Sequence, residues 1–173
     1  MVMDRGKKIV MFAASQGGHY TELMKLSSLF SRYDSILVTS NLNATKDQPE
    51  LQVFKDIAYS AAMAKRREKM AGQKANSRWN SFFSYLKVFM ECFCIYIKYR
   101  PSVIITTGSY IAVPLLLYGK IFGSKNIFIE SNAQVYNKSS TGRLVEKLSH
   151  KIYVQWPEML SLYPKAEYHG VLH

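Results

Sequence analysis

Five short apolar runs recur along this chain, separated by segments of helical or polar pattern. They are KKIVMFAA (residues 7–14), DSILVTS (34–40), SVIITT (102–107), KNIFIE (125–130) and KIYVQW (151–156). Runs this short, rich in Ile and Val, read as buried strands. Between them, YTELMKLSSLF sets Leu23, Leu26, Leu29 and Phe30 at helical spacing, and WNSFFSYLKVFMECFCIYIKY has the length of one long helix. SYIAVPLLLYGKIFG reads as a helix closed by Gly123, with Pro114 early enough to be tolerated, and TGRLVEKLSH as a further helix. Residues 41–50 are polar and read as a loop, and a weaker strand is expected within 51–58. Strands alternating with helices predict an α/β fold, a Rossmann-like doubly wound parallel sheet. There is no internal repeat, and the one composition shift, at residues 65–78, is too short to divide two domains, so residues 1–173 are expected to form a single domain. A chain of this size buries roughly 70% of its unfolded surface and needs no staples.

In such a sheet, ligands bind beyond the carboxyl ends of the strands. Three places qualify: Ser15 to His19, Thr106 to Tyr110, and Glu130 to Asn132. Their polar residues are expected to meet in one crevice. Gly17 and Gly18 stand where a strand hands over to a helix, so backbone and ligand can approach closely there, and the helix start offers free N–H groups. That combination suits a phosphate; the plainer alternative is a tight turn. The loop matches neither GxGxxG nor GxxxxGK[ST], so a dinucleotide or Walker-type nucleotide is not supported, and no cofactor is expected. Gly108 and Ser109 repeat the arrangement after a second strand, where Ser109 is expected either to meet a ligand or to cap the helix. His19 is the one histidine in a glycine loop, and an imidazole can exchange protons near neutral pH. A purely structural hydrogen-bonding role is its alternative. Glu130 falls where its strand leaves the core, as a base, a ligand to sugar hydroxyls, or a solvated strand-end acid. His150, His169 and His173 show no ligand spacing, and no metal is implied.

The formal charge of +11 points to an anionic partner: phosphate, nucleic acid or an acidic membrane. Lys65, Arg66, Arg67, Lys69, Lys74 and Arg78 face only Glu68, and the aromatic helix with Trp79, Phe82 and Phe83 follows at once. A basic run beside an amphipathic aromatic helix suits an anionic bilayer surface; the alternative is a core helix behind a solvated loop. Lys87 and Glu91 make that helix a poor membrane span. Cys92 and Cys94, two residues apart in one helix, point in different directions and suit neither a disulfide nor a metal, as in a reducing cytoplasmic setting. The N-terminus lacks the pattern of a signal peptide. No nucleic-acid motif accompanies the charge, so nucleic acid is the weakest of the three partners.

With the loops in view, the chain resembles the acceptor-binding subunits of two-component glycosyltransferases. These include bacterial capsule and exopolysaccharide subunits and the eukaryotic anchor subunit that helps add the second GlcNAc of the dolichol-linked oligosaccharide. The resemblance runs through IVMFAASQGGHYTEL, VIITTGSYIAVP, NIFIES, TGRL, IYVQWPEML and YPKAEYHG. More distantly, the N-terminal lobe of the peptidoglycan lipid-II GlcNAc transferase has the same order of motifs. The resemblance implies the N-terminal, acceptor-side lobe of a split GT-B enzyme. A separate donor-binding subunit would complete it for transfer from a UDP-sugar to a polyprenyl-diphosphate-linked saccharide. It implies acceptor-diphosphate contacts at Ser15, Gly17, Gly18, Gly108, Ser109, Tyr110 and Asn132, with His19 and Glu130 as candidate bases that sequence does not rank. It implies inactivity without the partner and no need of a metal. The eukaryotic subunits carry an N-terminal membrane anchor and this sequence shows none, so the bacterial type, held peripherally at the cytoplasmic face of the membrane, is expected. A noncatalytic recruiter of a glycosyltransferase is the alternative from another class.

Overall fold

The structure is a computed structural model that describes residues 8–62 and 78–172, with only the backbone described for residues 78–82. The apolar runs become strands: β1 (Ile9–Ala14), β2 (Asp34–Thr39), β3 (Asp56–Tyr59), β4 (Val103–Thr106), β5 (Lys125–Ile129) and β6 (Lys151–Val154). A further strand, β7 (Ala166–Tyr168), joins at the edge. All neighbours pair in parallel, in the order β3-β2-β1-β4-β5-β6-β7. The chain builds outward from β1 to β3, then returns to the other side of β1 as β4. Ala13 pairs with Val38 on one flank and Thr106 on the other, so β1 sits at the switch point where strand order reverses.

Alternate residues of each strand feed two cores. Met11, Ala13, Ile36, Val38, Ile104, Phe128 and Val154 face the first. There α3 (Arg78–Tyr99) contributes Val88, Cys92 and Tyr96, and α4 (Ala112–Phe122) contributes Leu115 and Leu116. The spacing of four along α3 is the inward face of an amphipathic helix. The other core takes Val10, Phe12, Leu37 and Ile105, covered by Leu23 of α1 (Gly18–Met24) and Phe30 of α2 (Ser27–Phe30). Phe12, Phe30 and Phe54 pack as a trio, with ring centroids 4.5 to 6.2 Å apart. A short α5 (Ser140–Val145) completes the first layer through Val145.

The elements differ from the sequence reading in several places. The helix expected over 20–30 is two helices, because the amides of Lys25, Leu26 and Leu29 bond three residues back and tighten the chain between them. The weak strand within 51–58 is β3, shifted later, since Pro49–Leu51 forms a 3₁₀ turn that buries Leu51. β7 was not expected: Ala, Glu and Tyr make no apolar run, and an edge strand pairs through its backbone and a Lys151–Glu167 ion pair instead. The helix expected over residues 141–150 is the shorter α5, which ends at Val145. Gly123 closes α4 at φ 88°, and Pro114 lies in its first turn. Cys92 is buried, which raises its thiol pKa, while Cys94 is exposed.

Phe30 is fully buried, and its removal leaves a cavity that Phe12 and Phe54 cannot fill without moving. Phe30→Ala should cost about 3–5 kcal/mol. Urea unfolding should show this as a lowered midpoint with an unchanged slope.

Candidate functional site

The loops leaving β1, β4 and β5 meet at the carboxyl edge of the sheet, as the sequence led us to expect. The Ser15 amide donates to Ser109 Oγ at 3.2 Å, and Thr107 Oγ1 donates to the His19 carbonyl at 2.6 Å. From the third loop, the Asn132 amide and Ser131 Oγ both donate to Glu22 Oε1, at 2.8 and 3.0 Å. Three chain segments far apart in sequence therefore share one crevice wall.

Backbone geometry explains the glycines. Gly17 precedes α1 at φ 105°, a conformation that excludes most side chains, and its carbonyl accepts the amides of Tyr20 and Thr21. The amides of Gly18 and His19, at the first helical positions, have no intrahelical acceptor. A Cβ at Gly18 would meet no protein atom within 4 Å, so that side of the loop is open. Gly108 sits at φ 118°, and a Cβ there would come within 3.0 Å of the His19 ring. Its absence seats the imidazole against the second loop. Ser109 also has positive φ, 87°, which is strained for a residue with a side chain. It is not a helix cap: α4 starts three residues later, after Ile111, and the Ser109 hydroxyl serves Ser15 instead. Tyr110 turns its ring edge-on to Tyr85 of α3, 5.9 Å away, and its carbonyl accepts from the Tyr85 hydroxyl.

Glu130 is neither solvated nor at liberty. It is 1% exposed, with Oε1 accepting from the Ser131 amide at 2.9 Å and Oε2 from the Ser139 amide and Tyr163 hydroxyl at 3.1 and 2.5 Å. Burial, then the bond to Glu130, holds the Tyr163 hydroxyl well above the usual phenol range. Gly142 makes room for this cluster, because a Cβ there would overlap the Tyr163 hydroxyl and crowd Glu130 Oε2. The carboxylate thus fastens the loop between β5 and α5 to the segment after β6. Gln155 Nε2 adds a bond to the Glu130 carbonyl at 2.9 Å, and Trp156 Nε1 one to the Asn132 carbonyl at 2.7 Å.

Glu22 was missed by the sequence reading, although it stands three residues after His19 on one helical turn. Its Oε2 lies 4.0 Å from His19 Nδ1. Among the described residues, four buried side-chain polar atoms have no hydrogen-bond partner, and three of them belong to this crevice: His19 Nδ1, Glu22 Oε2 and Asn132 Oδ1. Buried polar atoms are normally satisfied, so such a cluster marks a place where a polar ligand or a small closure completes the network.

Of the expected bilayer-contact residues, only Phe83 has a described side chain. Lys65, Arg66, Arg67 and Lys69 fall outside the described residues, as do the side chains of Trp79 and Phe82. Phe83 is exposed on α3, in a stripe with Leu86, Met90, Phe93 and Ile97 opposite the buried Val88, Cys92 and Tyr96. Ile121 and Phe122 at the end of α4 are also exposed, and Phe122 lies beside Phe93. The helix is therefore core on one side and apolar surface on the other. Among the described residues, no helix is long and apolar enough to cross a membrane.

Known proteins share this architecture. Acinetobacter baumannii MurG superposes with a TM-score of 0.63 over 96% of this chain and 44% of its own, at 13% identity. Staphylococcus aureus MnaA, solved with UDP, gives a TM-score of 0.66 over 95% and 44%, at 11% identity. The chain thus spans less than half the length of either structure and has the fold of one Rossmann-like lobe of the GT-B type. The UDP-N-acetylglucosamine transferase subunit ALG14 of Candida albicans is 30% identical over 166 residues, 90% of this chain and 74% of the relative. A family profile described as "Oligosaccharide biosynthesis protein Alg14 like" matches residues 9–172. This chain belongs to the Alg14-like family of oligosaccharide biosynthesis proteins.

Proposed function

We propose that this chain is the acceptor-side lobe of a split glycosyltransferase. A separate subunit supplies the donor-binding lobe, and together they transfer a sugar from a UDP-sugar to a polyprenyl-diphosphate-linked saccharide. N-Acetylglucosamine is the favoured sugar, because the ALG14 relatives are named as UDP-N-acetylglucosamine transferase subunits. The capsule or exopolysaccharide setting rests on the sequence resemblance alone. The observation that carries the reading is the crevice at the switch point, where three loops meet around three buried, unpartnered polar atoms.

In this reading the acceptor diphosphate lies against the open side of Gly17 and Gly18 and accepts from the free amides at the start of α1. Ser15, Gly108, Ser109 and Asn132 form the remaining wall. His19 Nε2 takes the proton of the acceptor hydroxyl as that oxygen bonds to the anomeric carbon. The bond from that carbon to the UDP oxygen breaks, and UDP leaves with the electron pair. A positioned base of this kind contributes about 10²–10⁴ in rate. Of the two candidate bases we choose His19, whose ring is a third exposed, over Glu130, whose two oxygens already hold three donors. Glu130 acts by holding Ser131 and Asn132 in place.

The donor-side subunit docks across the C-terminal segment. After β7, residues 169–172 fold back beneath the sheet, where the Leu172 amide donates to Gln155 Oε1 and its carbonyl accepts from Lys25. The lipid is met by the outer stripe of α3, which touches the crevice loop through Tyr85 and Tyr110. The net charge of +11 favours an anionic bilayer.

Variants separate the roles. With the donor-side subunit present, Gly18→Ala should raise the acceptor KM about tenfold and leave folding untouched, since the new methyl meets only ligand. His19→Ala should lower the maximal rate by about 10²-fold or more. Glu130→Gln turns an amide N–H₂ toward one of three buried donors, so its chief effect should be a loss of about 1–3 kcal/mol in stability, read as a lower Tm. A large rate loss in a Glu130→Gln protein of unchanged Tm would make Glu130 the base instead.

Bilayer contact has its own test. Met90→Glu with Phe93→Glu puts two charges on the exposed stripe without touching the core side of α3. Sedimentation with anionic vesicles should fall sharply while circular dichroism is unchanged. Undiminished sedimentation would remove α3 as the contact.

A further inference from the structure

We infer that Glu22 is a positioning residue for His19: its Oε2 accepts a hydrogen bond from His19 Nδ1–H, which leaves Nε2 as the free acceptor that faces the substrate. The inference rests on the reading of His19 as the base and adds to it the group that sets the tautomer of that base.

The two side chains share one turn of α1, at i and i+3, where side chains lie on the same face. Glu22 is 12% exposed, and one of its oxygens is already fixed: Oε1 accepts from the Asn132 amide and the Ser131 hydroxyl. The carboxylate therefore cannot swing away into solvent without releasing the third loop. Its other oxygen is left facing His19, and both Oε2 and Nδ1 are buried with no other partner among the described residues. They stand 4.0 Å apart, against about 2.7–3.2 Å for a hydrogen bond, so closure needs a shift of about 1 Å. Catalytic hydrogen bonds are commonly long before substrate is present and tighten when it binds. The imidazole has little room to move, because Gly108 packs against its Nδ1–Cε1 edge and Thr107 holds the His19 carbonyl.

A neutral imidazole carries one proton on one of two nitrogens, and the base must have its outward nitrogen bare. An acceptor at Nδ1 favours the Nδ1–H form. Glu22 is an acceptor at both oxygens, so it serves the loop and the histidine at once. A glutamine cannot do both. In Glu22→Gln the side-chain carbonyl stays with the two loop donors, and the amide N–H₂ is turned toward Nδ1, which then must accept. The proton moves to Nε2, and the base is blocked with little change in shape.

The test is ¹⁵N NMR of histidine-labelled protein at a pH where imidazoles are neutral, with the His19 signals assigned by their loss in His19→Ala. The wild-type protein should show a pyrrole-type Nδ1 and a pyridine-type Nε2, and Glu22→Gln should exchange them. Ser131→Ala, which removes one loop donor but leaves Oε2 alone, should keep the wild-type pattern. With the donor-side subunit added, Glu22→Gln should lower the maximal rate by about 10²-fold or more at a nearly constant acceptor KM. A wild-type His19 protonated at Nε2, an unchanged pattern in folded Glu22→Gln, or the same change in Ser131→Ala would overturn the inference. The wild-type spectrum decides on its own if Glu22→Gln fails to fold. If the tautomer inverts but transfer proceeds at the normal rate, Glu22 does orient His19 and it is the assignment of His19 as base that fails.

Discussion

One carboxylate ties the crevice together. Glu22 reaches from α1, after the first strand, to the backbone of Asn132, after the fifth, and without it the two loops have no direct polar contact among those described. The loop after β4 adds its own contacts to the first loop. Gly108 and Ser109 adopt positive φ so that the loop after β4 can press against His19 and accept from Ser15. Glu130, one residue before the bridge, is buried under Tyr163 and the Ser139 amide, so the loop that Glu22 grips is itself immobilised from behind. In the proposed reading, this wall positions the base and the acceptor diphosphate relative to each other.

The division of labour between the two glutamates follows from where the sheet ends. Glu130 closes β5 and points into the layer under α5, where three donors satisfy it. Glu22 comes from α1 and is hydrogen-bonded at one oxygen only. A buried carboxylate with donors on both oxygens is a fastening, while in the proposed reading the one with an unpartnered oxygen beside a histidine orients that histidine.

Much of the fold was legible because a parallel sheet buries both faces of its strands, which leaves short Ile- and Val-rich runs such as VIIT and KNIFI in plain view. The edge strand β7 was not, since it lives on backbone pairing and carries a polar sequence. The crevice followed from the switch-point rule and the glycines. The roles within it did not. Ser109 looks like a helix cap in one dimension, and only the chain path shows its hydroxyl meeting Ser15. Glu130 looks like a solvated acid because Tyr163 and Ser139 are distant in sequence. Glu22 was hidden as one more polar residue of an amphipathic helix. For α3, the core reading holds on one face through Val88, Cys92 and Tyr96, while Leu86, Met90 and Phe93 form an exposed apolar face whose contact with a bilayer is part of the proposal.

The central claim is that the crevice between the three loops receives the diphosphate and first sugar of a lipid-linked acceptor. The most direct measurement is a ¹H–¹⁵N correlation titration with a soluble, short-chain prenyl diphosphate carrying one N-acetylglucosamine. The largest shifts should fall on the amides of Gly17, Gly18, His19, Gly108, Ser109 and Asn132, and the same sugar without its diphosphate should leave Gly17 and Gly18 unmoved. Shifts confined to residues 169–172 and the sheet face beside them, with the three loops silent, would contradict the account.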